Sequence, residues 1–174
     1  MRRYLSWLLA VVAVIVTAES AFAQRDAGSK IRGESNFYGR SGGSAMRSAR
    51  EHSTYYREYA EPVQKVNPEV AKEAADTIGN YITKAQKHMA SMRKHAKATN
   101  DKETLASLDS IDKNLADAAK SHADMRETCM KDTVDGKATL ECCKVIDDSL
   151  AKAISEHDKL MKRLASDKSG TPKK

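Results

Sequence analysis

Residues 122 to 143 hold a set of side chains that could take part in soft-metal chemistry. His122, Met125 and Cys129 follow one another at steps of three and four, and Cys142 and Cys143 lie beyond a break over Asp132–Gly136. On a helix those steps put the first three on one face. Counting outward from a turn near Val134, Cys129 falls opposite about position 139 and Met125 opposite about position 143. An imidazole, a thioether and three thiols are therefore expected at one end of the fold, with His52 near the same level. Thiolate, thioether and imidazole together suit Cu(I), and thiolate with imidazole also suits zinc.

A second set lacks thiols. His88 and His95 are seven apart with Met92 between them, and His157 falls near the level of Met89 when the turns are counted. Helical bundles build metal sites from such spacings. The sets His122, Met125, Cys129, Cys142, Cys143 and His88, Met92, His95, His157 are thus the primary and secondary candidate metal clusters. No C-x-x-C, H-E-x-x-H or E-x-x-H pair assigns either one to a known site. C-x-x-C-H is absent, which excludes covalently attached haem, and the shortage of aromatic residues argues against a loosely held one.

The same thiols have a plainer reading. In an exported chain, Cys129 pairs with Cys142 or Cys143 across the helix–turn–helix. Closing that loop is worth about 3 kcal/mol in the chain-entropy model. The third cysteine is then left as a free thiol or as an intermolecular bridge in a homodimer.

These side chains must be held by helices. Three long apolar periodicities run through the chain, at steps alternating three and four. The first is Ala71, Ala75, Ile78, Ile82, Ala85, Met89, Met92 and Ala96. The second is Leu108, Ile111, Leu115, Ala118, His122, Met125 and Cys129. The third is Thr139, Cys143, Ile146, Leu150, Ala153, His157, Leu160 and Leu164. Each is a heptad seam. Asn67-Pro68-Glu69 starts one helix, Asn100-Asp101 separates the next two, and Asp132–Gly136 separates the last two. A shorter helix over about Ala45 to Tyr59 stops before Pro62 and brings Tyr55, Tyr56 and Tyr59. The fold expected is all-α: an antiparallel up-down helical bundle of three long helices plus one shorter N-terminal helix.

The N-terminus reads as an address. Arg2 and Arg3 precede a short apolar run over Leu5–Val16, and Ala21-Phe22-Ala23 fits a cleavage site before Gln24. This is the pattern of a secretory signal peptide, and the run is too short for a membrane span. The organisation expected is a signal peptide over 1–23, a flexible basic Gly/Ser/Arg-rich arm over 24–44, a bundle over 45–166 and a disordered tail over 167–174. The mature chain is then periplasmic or secreted.

Removing residues 1–23 takes away Arg2, Arg3 and Glu19 and lowers the net charge from +6 to +5. Leu, Ile, Val and Phe then make up 19 of 151 residues, a fraction typical of disordered chains. The helical periodicity and the 20 alanines of that segment argue the other way, alanine being the best helix former. The core is thin, and a disulfide, a metal or a partner would help it.

No nucleophile elbow, phosphate loop or placed pair of carboxylates is present, so the chain is read as non-enzymatic. Export and the lack of a basic stripe with stacking aromatics exclude nucleic acid as a partner. The function expected is a structural or interaction module of the cell envelope. Its basic arm (Arg25, Lys30, Arg32, Arg40) would meet an anionic surface or a protein partner. The alternative is binding or sequestration of copper, or of zinc, by the Cys/His/Met clusters.

Overall fold

The computed structural model describes residues 33–63 and 65–166, all of whose regular structure is helical. Four helices form a bundle: α1 over 33–60, α2 over Pro68–Ala98, α3 over Lys102–Cys129 and α4 over Gly136–Ser166. The expected signal peptide, residues 24–32 of the expected arm and the expected C-terminal tail lie outside the described residues. Among the described residues no helix is long and apolar enough to cross a membrane.

Local chemistry sets the ends of the helices. Asn67 caps α2 by accepting from the Glu69 amide at 2.9 Å, with Pro68 in the first turn. Asp101 caps α3, accepting from the Thr104 amide at 2.9 Å and the Thr104 hydroxyl at 2.6 Å. Between them Asn100 takes the left-handed conformation, φ 53°, which asparagine tolerates better than most residues. Asp135 accepts from the Ala138 amide at 3.1 Å and so starts α4.

The seam of α2 is buried at the eight positions that its periodicity marks. Ionic contacts tie the helices together outside the core. Arg93 of α2 reaches both Asp109 and Asp112 of α3 at 2.7 Å. Arg163 of α4 donates to Glu103 and to the Thr104 hydroxyl of α3, both at 2.7 Å. The core is rich in alanine and methionine: Met46, Met89, Met92 and Met125 are fully enclosed. Methionine's flexible thioether fills the gaps that small neighbours leave.

One expectation is corrected here. Residues 33–44 are helical rather than part of a flexible arm, so α1 is comparable in length to the other three helices. Gly39, Gly42 and Gly43 lower its intrinsic helicity by about 1 kcal/mol each relative to alanine. Tertiary contact outweighs that cost. A Cβ at Gly39 would lie 2.6 Å from the Met161 sulfur, one at Gly42 would strike Met89, and one at Gly43 would strike His157. The glycines are the seats into which those side chains pack.

Candidate functional site

The two seam histidines are each bound to a helix backbone. His157 Nε2 lies 2.8 Å from the Gly39 carbonyl, and His122 Nε2 lies 2.7 Å from the Ala75 carbonyl. A carbonyl only accepts, so in both rings Nε2 carries the hydrogen. The geometry repeats. Four residues after each acceptor stands a glycine, Gly43 or Gly79, whose missing side chain makes room for the ring. Each imidazole therefore lies in a notch on a neighbouring helix and adds a donor to a carbonyl in the helix wall. His157 Nδ1 is 3.3 Å from Asp158, which also pairs with Arg47.

The primary cluster is brought together only in part. His122 is turned to α2, and Ser121 takes the buried position on α3 in its place. The sulfur groups do stay together. The Cys143 thiol lies 3.7 Å from the Met125 sulfur, and the Cys129 thiol meets the hydroxyl of Tyr56, which also lies 3.2 Å from Thr139 Oγ1. Burial pushes the Cys129 thiol up to about 11 and the Cys143 thiol up to about 12. Burial also raises Cys142, which is only half-enclosed. All three cysteines are free in the structure, so neither expected disulfide is formed in it. Among the described residues no group of three or more His, Cys, Asp or Glu side chains is arranged to hold a metal ion.

The secondary cluster is divided. His88 and His95 lie beside Tyr38 of α1, with ring centroids 6.1 and 5.6 Å away, and His95 is 3.5 Å from Glu34. Met92 and Met161 meet instead over Gly39, beside the carbonyl that His157 binds. His52 stacks on Tyr81 at 5.3 Å rather than joining the thiols.

These aromatic pairs mark a groove between α1 and α2 that the seam analysis missed. It is open to solvent and has a volume of about 370 Å³. From α1 it is lined by Arg40 and by Ser41, Ser44 and Ser48, and from α2 by Tyr81, Lys84 and His88. The signal was present in the spacing. Steps of three and four run from Ser41 to Ser48 and from Tyr81 to His88, each a polar stripe along one helix edge. Lys84 sits over the Tyr81 ring at 5.2 Å.

No protein family, no curated protein and no solved structure matches this chain.

Proposed function

We propose that the chain is an exported, non-enzymatic helical-bundle protein that acts as a structural or interaction module of the cell envelope, periplasmic or secreted after loss of residues 1–23. The observation that carries this reading is the engagement of the chemistry-bearing side chains in packing. His122 and His157 bind backbone carbonyls, and burial holds the Cys129 and Cys143 thiols in the neutral form. A neutral buried thiol is a poor nucleophile. The helices are then scaffold, and their polar faces carry the interaction.

The up-down antiparallel order belongs to the same reading. It is supported by the pairing of late residues on one helix with early residues on its neighbour: Arg93 with Asp109, Arg126 with Asp76, and Arg163 with Glu103. On the other side of the bundle, Gly39 meets His157 and Ser53 meets Cys143.

Expression of the full-length chain followed by fractionation and intact-mass measurement tests the reading. An exported product beginning at Gln24, part of which sediments with envelope material, is expected. An unprocessed cytosolic chain, or an exported one that never sediments with envelope material, would overturn it.

A second reading is supported by the Cys143–Met125 contact at 3.7 Å. Two thiols and a thioether form a soft donor set for Cu(I), with binding releasing the thiol protons. Titration of Cu(I) against a competing chelator tests it. Stoichiometric uptake that is lost in Cys143→Ser would support it, and no uptake would remove it.

A further inference from the structure

We propose that the groove between α1 and α2 is a binding site for a phosphoryl-type anion, either free phosphate or the phosphate of a small ester or lipid headgroup. The inference rests on the interaction-module reading and names the chemistry of the partner. Arg40 lines the groove from α1 and Lys84 from α2, and no carboxylate lines it. Among the described residues neither cation has an ion-pair partner, whereas Arg47, Arg57, Arg93, Arg126 and Arg163 are all paired. The two cations that border the groove are thus both without a counter-charge among the described residues.

The hydroxyls support the same assignment. A helical serine or threonine commonly bonds back to the carbonyl one turn earlier, as Ser91, Ser107 and Thr128 do here. Ser41, Ser44 and Ser48 make no such bond, and among the described residues their hydroxyls have no partner. They face the groove as unused donors. A guanidinium suits a phosphate through its planar fork, and lysine adds a point charge. The Lys84 ammonium is held over the Tyr81 ring, which orders it before any anion arrives. The volume of about 370 Å³ exceeds what orthophosphate fills. It is at the lower end of small-ligand sites, which leaves room for a substituent on the phosphate.

The test is a titration of the full chain with orthophosphate and with pyrophosphate at constant ionic strength, followed by amide chemical shifts. Saturable shifts confined to residues 40–48 and 81–88 are expected. Arg40→Ala and Lys84→Ala should each weaken binding about tenfold with helicity unchanged, since one charge-assisted hydrogen bond is worth that much. Lys144→Ala, an exposed cation on α4, should bind as the parent does. Scattered or unsaturable shifts, or wild-type binding by the Arg40 and Lys84 variants, would overturn the proposal.

Sedimentation with vesicles of phosphatidylglycerol or phosphatidylcholine separates the two sources. Release from the anionic vesicles by phosphate identifies the headgroup, and phosphate binding without vesicle binding identifies the soluble anion. Either result supports the site. Envelope association that persists with no phosphate shift in the groove would sink this inference and leave the module reading standing. Phosphate binding by a chain that is not exported would do the reverse.

Discussion

The imidazole of His157 occupies the place where residue 43 would carry a side chain, and from there it donates to the Gly39 carbonyl at 2.8 Å. This contact seats α4 against the first turns of α1. It also explains a helix that runs through Gly42-Gly43. Removing the notch should therefore cost stability even though alanine is the better helix former. Gly43→Ala is expected to destabilise by about 1–3 kcal/mol, the usual range for overpacking. Gly33→Ala, where an added Cβ would meet open space, should be neutral or slightly stabilising. Thermal melts of Gly43→Ala, His157→Ala and the double variant make a cycle that isolates the contact. Additive effects would show that ring and notch are not coupled.

How much of this could be read beforehand differs from helix to helix. The α2 seam was legible because Ala, Ile and Met recur there without interruption, and each seam residue is buried. On α3 the periodicity marked His122, but the ring is large and polar. It rotated to a backbone acceptor and left Ser121 as the buried residue. On α1 the glycines over 39–43 resemble a linker in composition. Their positions nevertheless continue the heptad: 39, 42, 46, 49, 53, 56 and 60 step by three and four, and each is buried. Composition obscured a periodicity that spacing retained, because a glycine whose place is filled by a side chain from another helix serves as a core residue. The groove was missed for a different reason. Its residues are polar at helical spacing, and a polar stripe has no apolar signature to mark it as a cavity wall.

The three thiols should differ in reactivity. Cys129 and Cys143 are enclosed and pushed up to about 11 and 12 by burial, while Cys142, also raised by burial, is only half-buried. Alkylation with iodoacetamide at pH 7.5, read by peptide mass spectrometry, should label Cys142 first. Cys129 and Cys143 should be labelled only as the chain opens, and all three together in denaturant. With a mild disulfide oxidant, the most exposed thiol is the one available to bridge two copies. Labelling of Cys143 ahead of Cys142 in the folded chain would contradict the burial order.

Asp147 makes the pH profile asymmetric. It is 7% exposed, and one carboxylate oxygen has no hydrogen-bond partner. Burial raises its pKa, and the Ser53 hydroxyl and the cations Arg57 and Arg50 only partly offset that; Asp148 nearby adds to the rise. A carboxyl with a raised folded pKa contributes stability that is fully present below its unfolded value, near pH 3.9. That contribution is lost as pH rises through the folded value. Asp147→Asn abolishes the titration. Relative to the parent, the variant should therefore gain in melting temperature from pH 3.5 to pH 7. A difference that stays flat or declines over that range would show that the Arg57 pair at 3.0 Å outweighs burial.

Asp101 should behave in the opposite sense. Burial disfavours its charge, but the Thr104 amide and hydroxyl and the nearby Arg163 overcome that and hold its pKa below the ordinary value. Its contribution is present above the unfolded pKa and disappears as pH falls through the lowered folded one. Removing a cap of this kind costs about 1 kcal/mol, a fall of about 4 °C in melting temperature for a domain of this size. Asp101→Ala should show that loss at pH 7 and much less of it at pH 2.5. Asp101→Asn separates the two contributions. It keeps an acceptor for the Thr104 amide but carries no charge, so its deficit at pH 7 should be smaller than that of alanine, and it too should shrink as pH falls and the parent's carboxylate is protonated. If asparagine and alanine were equally harmful at pH 7, the charge rather than the cap geometry would be what starts α3.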